Sequence, residues 1–302
     1  MYPLATVFPP LQRLGHLPLS RDQLMLLMVA INQVFLGIDT YLAHNTNGTI
    51  RPNEWIPIIF GLLAGGLLLL CGLIALKWRT MASVIATLTL LASIVVGLLG
   101  SYFHLEYGLL PSAPVGERIT IHLLVFAPPI LGPMVFAIVG VLGISAAWLE
   151  EPANSGTLIL SRNWRIRLPY SKTQAYFYIV GMALLATLVS STLDHARLNF
   201  GNPWLWVPIA VGVFGTAVTA TLGFIDKPTQ GDFITYTGAM ALLIIVGLVG
   251  AILHIESELI QGSLIVKERL LRGPPALGPL LFCNVGILGF LVLLDPVEMR
   301  SR

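Results

Sequence analysis

Eight apolar runs, each close to the ~20 residues a helix needs to cross ~30 Å of hydrocarbon, divide this chain from end to end. They extend from Gln23 to Leu42, Trp55 to Ala75, Met81 to Phe103, His122 to Trp148, Ala175 to Leu193, Trp204 to Phe224, Phe233 to Leu253 and Pro274 to Leu294. In lipid every backbone N–H and C=O needs a partner within the protein, so such runs are expected to be helices. Composition rules out a water-soluble core built from the same runs. Only 11% of the 302 residues are charged and 56% are hydrophobic, whereas a soluble domain carries about 25% charge. A net charge of +2 with no basic stripe gives no nucleic-acid footprint. The expected partner is the bilayer.

The runs fall into two sets of four that resemble each other. Val96 to Glu106 reads VGLLGSYFHLE, and Val246 to Glu256 reads VGLVGAILHIE. Pro128 to Gly143 reads PPILGPMVFAIVGVLG, and Pro274 to Gly289 reads PPALGPLLFCNVGILG. Trp55, Pro57 and Gly61 recur as Trp206, Pro208 and Gly212, with each tryptophan at an expected membrane interface. A gene duplication explains both the matches and their order. Four helices per unit return the chain to its starting side, so the repeats are expected to be parallel, related by an axis along the membrane normal. The expected fold is an all-α integral membrane protein of eight transmembrane helices in two parallel four-helix repeats. Its divisions are a surface arm at 1–22, the first repeat at 23–151, a basic linker at 152–174, the second repeat at 175–295 and a tail at 296–302. The arm has no basic stretch leading into an apolar core and does not read as a cleavable signal.

Lysine and arginine set the expected orientation. Arg13, Arg21, Lys77, Arg79, Arg162, Arg165, Arg167, Lys172 and Lys227 share one side with both termini, which are therefore expected in the cytoplasm, most simply at a prokaryotic cell membrane. The opposite side gathers Asp39, Glu54, Glu106, Glu117, Asp194, Glu256, Glu258 and Glu268, with a smaller basic set of Arg51, Arg118, Arg197, Lys267, Arg269 and Arg272. Glycine pairs such as Gly97 with Gly100 and Gly140 with Gly143 mark faces for close helix approach. Cys71 and Cys283 lie within apolar runs and read as small core residues.

Chemistry is expected at the outer face. Asp39 matches Asp194 at the end of the first helix of each half, His104 matches His254 at the end of the third, and His122 matches Glu268 before the fourth. His44 and His195 stand nearby. Imidazole and carboxylate together suit zinc, copper or iron, so Asp39, His104, His122, Asp194, His254 and Glu268 form the candidate metal set. The plainer reading is that these groups cap helix ends, where the dipole alone favours histidine. Asn32, Gln33 and Asn284 fall deep in their runs and are expected to face other helices, since polar groups at that depth need partners.

Three functions follow. The first is an integral subunit packing within a larger membrane complex of electron-transfer or photosynthetic type, with other subunits or its own copies as partners. The second is a membrane metalloprotein acting on a small or lipidic substrate at the outer face. The third is a transporter or channel, disfavoured because no ionisable residue lies at the centre of a run. No phosphate loop, nucleophile elbow or haem-attachment motif points to another reaction.

Overall fold

Two serine-and-glutamine caps set the frame of the structure. The computed structural model describes residue 7 and residues 19–46, 48–108, 114, 117, 120–161, 163–259 and 277–294. In chain order the helices are α1 (Arg21–Asn45), α2 (Trp55–Ala75), α3 (Arg79–Gly108), α4 (Ile121–Phe126), α5 (Leu131–Ala147), α6 (Lys172–Ala196), α7 (Trp206–Phe224), α8 (Gln230–Glu258) and α9 (Leu277–Val292). Strands β1 (Leu149–Glu150), β2 (Thr157–Ser161) and β3 (Trp164–Arg167) lie between α5 and α6. The Ser20 hydroxyl accepts from the N–H of Gln23, whose side chain accepts the Ser20 N–H in return. Ser171 and Gln174 do the same at the start of α6. Each box satisfies donors that a helix start leaves open. Both helices then run for 25 residues, so Ser20 stands where Ser171 does and His44 where His195 does.

The chain is an all-α membrane fold with one small sheet. Among the described residues six helices, α1, α2, α3, α6, α7 and α8, are long and apolar enough to cross a membrane. In the first half α1 packs on α2, α2 on α3, α3 on α5 and α5 back on α1. In the second half α6, α7, α8 and α9 close the same ring. The halves meet where α5 touches α6 and where α1 touches α9, two contacts that exchange if the halves exchange.

Polar residues deep in the bundle have partners, as expected. Gln33 donates to the Ser93 hydroxyl at 2.6 Å, and Ser93 donates on to the Phe136 carbonyl at 2.7 Å. Asn284 donates to Asn32 at 2.7 Å, joining α9 to α1 across the two halves.

Two segments differ from the sequence expectation. The fourth run, expected to be one helix from His122 to Trp148, is broken between α4 and α5. The break has a local cause. A residue before proline is pushed out of the helical region, and proline brings no N–H. Ala127 accordingly turns extended, with ψ at 168°, before Pro128 and Pro129. The region from 152 to 174, read as a linker, instead carries most of a three-stranded antiparallel sheet in the order β1-β2-β3. Leu158 and Leu160 are buried beneath it, while Arg165 and Arg167 stay exposed on β3.

A buried charged cluster joins the halves at the sheet end. Lys172 is fully buried and its ammonium donates to Asp22 and to the Trp148 carbonyl. Tyr176 donates to the other Asp22 oxygen at 2.8 Å, and the Arg21 guanidinium lies over the Tyr176 ring at 5.0 Å. Glu150 accepts the backbone N–H groups of Gly156 and Lys172, tying the sheet to the start of α6.

Candidate functional site

The break before α5 creates the site at the end away from the sheet. Irregular backbone at membrane depth persists only if its freed carbonyls find donors, and here four of them do. Arg197, at the end of α6, reaches across from the second half to donate to Val125 at 2.7 Å and more weakly to Ala127 at 3.5 Å. His104 Nδ1 donates to Pro129 at 2.8 Å, and Ser101 donates to Ile130 at 2.9 Å. The broken segment, from Phe126 to Pro129, forms part of a wall beside the ends of α1 and α3. A cavity of about 920 Å³ remains there, at the upper part of the usual range for small-molecule sites.

Its walls combine charge with apolar surface. The last turns of α1 contribute Asp39 and His44, and the turn before α2 contributes Arg51 and Glu54. The end of α3 contributes Phe103, His104 and Glu106, while Phe136 and Arg197 line the cavity from α5 and α6. Asp39 is half-buried and has no hydrogen-bond or ion-pair partner among the described residues. Glu54 accepts the Arg51 N–H at 2.8 Å and lies within electrostatic range of His104.

The two histidines of the cavity are held alike. His44 Nδ1 contacts the Thr40 carbonyl at 2.8 Å, and His104 Nδ1 contacts the Pro129 carbonyl at the same distance. A carbonyl can only accept, so each Nδ1 carries the hydrogen, and a neutral ring then leaves the lone pair on Nε2. Neither Nε2 has a hydrogen-bond partner among the described residues. The rings stand edge to face with centroids 6.0 Å apart.

The remaining candidate residues are placed differently. His122, on the short α4, is exposed, packs its ring on Phe126 at 4.7 Å and does not line the cavity. Asp194 lies 3.7 Å from Arg197 and within electrostatic range of His195 and His254. Glu268 lies outside the described residues. Counted from the two caps, Asp194 stands where Ala43 does, one turn beyond the place of Asp39, so the helix frame does not pair the two aspartates. It pairs His44 with His195. Among the described residues no group of three or more His, Cys, Asp or Glu side chains is placed to hold a metal ion.

In the sequence His44 stands only beside the candidate metal set, and neither Glu54 nor Arg197 belongs to it. The sequence signal for Arg197 is a basic residue one turn past Asp194 on the acidic side. No protein-family model, curated protein or solved structure matches the chain.

Proposed function

We propose that this protein binds a small or lipidic ligand in the cavity between α1 and α3, at the outer face of the membrane. The cavity itself carries the reading: it combines an unpartnered carboxylate, two imidazoles with free Nε2 atoms and an apolar wall of Phe103 and Phe136. Such a mixture suits an amphipathic molecule, with orientation set by a few polar groups and contact area by the apolar ones. Ala43 lines the cavity from an exposed position on α1, so Ala43→Trp fills it without entering the helix bundle. Protein purified in mild detergent is expected to carry a bound molecule in native mass spectrometry, and the Ala43→Trp variant to lose it while keeping the helical content of the wild type. Equal retention by both proteins would remove the cavity as the site.

The surrounding architecture in this proposal is a duplicated four-helix unit spanning the membrane eight times. Matching caps on α1 and α6, matching helix rings and exchangeable contacts between the halves support the duplication. The 17 residues of α5 and 16 of α9 extend about 24–26 Å at 1.5 Å per residue, most of a bilayer core. The excess of lysine and arginine at the sheet end supports a cytoplasmic sheet and an outer cavity. A cysteine at Asn163 is then expected to be shielded from an impermeant thiol reagent in intact cells, and one at Thr49 to react. Reversed labelling would invert the topology.

Membership of a larger complex is the second reading, supported by outward glycines. A Cβ at Gly66 on α2 or Gly238 on α8 would meet nothing within 4 Å, leaving room for another helix to approach. Gly66→Leu is expected to release any such neighbour in gentle purification, and unchanged composition would count against contact through α2.

A further inference from the structure

We propose that His44 and His104 coordinate a transition metal through their Nε2 atoms, making the outer cavity a metal centre; this rests on the cavity being a ligand site. Three observations carry it. Both Nδ1 atoms contact backbone carbonyls at 2.8 Å, the arrangement by which metal-binding histidines are commonly oriented and made more basic. Two imidazoles sharing one metal at ~2.0–2.1 Å stand with ring centroids about 5–6.5 Å apart, and these stand 6.0 Å apart. Asp39 lines the same cavity without an ion-pair partner among the described residues, so a cation bound there would meet an uncommitted carboxylate.

The second half repeats the placement. His195 sits at the position of His44 on its helix, His254 follows the same VGLxG stretch as His104, and the two interact electrostatically. That half differs in what surrounds the pair. Arg197 lies beside Asp194 at 3.7 Å and gives it the ion pair that Asp39 lacks among the described residues. The first half is therefore assigned the metal. Two imidazoles with remaining positions open suit copper, zinc or iron, and the iron can be a bare ion or the centre of a haem. Arg51 and Arg197 on the cavity wall would meet the carboxylates of the latter.

The test uses variants that keep the structural bond. Asparagine places its side-chain NH2 close to where imidazole Nδ1 stands, so His44→Asn and His104→Asn retain a donor for Thr40 and Pro129 while removing Nε2. Wild-type protein, purified without chelator and exposed to copper(II), zinc or haemin, is expected to hold about one metal per chain by elemental analysis. A strong visible haem band marks haem iron, and metal without that band marks the bare ion. Each asparagine variant is expected to lose the metal, and His122→Ala to keep it. Absence of metal from wild-type protein under all three conditions overturns the proposal, as does full retention by both asparagine variants or loss in His122→Ala. If metal is absent while the Ala43→Trp variant still loses a bound organic molecule, the centre is refuted and the cavity reading stands.

Discussion

Replacing Lys172 with methionine is expected to lower folding stability by about 3–5 kcal/mol, the cost of breaking a buried ion pair from one side. Lys172 is 0% exposed and Asp22 7% exposed, so water cannot replace the lost ammonium. Asp22 would keep Tyr176 at 2.8 Å and the Arg21 guanidinium at 3.6 Å, but the Trp148 carbonyl would lose its donor at 2.6 Å. The damage falls between the halves, because Asp22 opens α1 and Lys172 opens α6. Unfolding in detergent, followed by loss of helical signal, measures it. A double variant, Asp22→Leu with Lys172→Met, is expected to recover only part of the loss, since it removes both charges of the pair but leaves the buried Arg21 without its carboxylate and Tyr176 without its acceptor. A single variant as stable as wild type would mean that Arg21 alone compensates Asp22.

The parts of this fold that were legible in the sequence are those governed by one local rule. Length and apolarity placed the six long helices, because a bilayer leaves no other state for such runs. Depth in the run placed Asn32 and Gln33 inside, because an unpaired amide in lipid is costly. Two competing rules obscured the rest. From Ile121 to Ala147 the residues are apolar enough to suggest one helix, yet Pro128 and Pro129 break it, and apolarity had hidden the break. The sheet was missed because the stretch from Thr157 to Arg167 is basic and short, although Leu158 and Leu160 alternate with their neighbours as a half-buried strand does.

The candidate site shows the same division. His104 was found from its recurring stretch, and it does line the cavity. Pairing Asp39 with Asp194 rested on their nearness to helix ends, and the ends looked alike in sequence. The caps at the opposite ends fix the helical frame instead, and they bring His44 level with His195. A side chain reaching between halves, such as Arg197 to Val125, depends on how two distant segments dock. No local pattern encodes that contact.

The second large effect is expected from a single methyl group. A Cβ at Gly97 on α3 would lie 2.6 Å from the Ala137 nitrogen on α5, and one at Gly247 on α8 would lie 2.5 Å from the Cys283 nitrogen on α9. Both obstructions are backbone, so a rotamer change cannot relieve them. The helices must separate. Without a hydrophobic force between helices in lipid, their association depends on close van der Waals approach, and a separation of this kind loses it along the whole contact. Gly97→Ala and Gly247→Ala are each expected to cost about 1–3 kcal/mol, the usual range for overpacking. Gly66→Ala is the contrasting case: its Cβ meets nothing within 4 Å, and alanine is favoured over glycine in a helix by roughly 0.5–1 kcal/mol. Its expected effect is neutral to slightly stabilising. Gly100 and Gly250 extend the argument one turn along, since their Cβ positions meet Pro133 and Pro279 at 2.7 and 2.9 Å. If Gly97→Ala and Gly247→Ala unfold at the same point as Gly66→Ala, the close approach of α3 to α5 and of α8 to α9 does not hold each half together. A loss at Gly97 without a similar loss at Gly247 would show that the two halves, though alike in contact, do not share one stability.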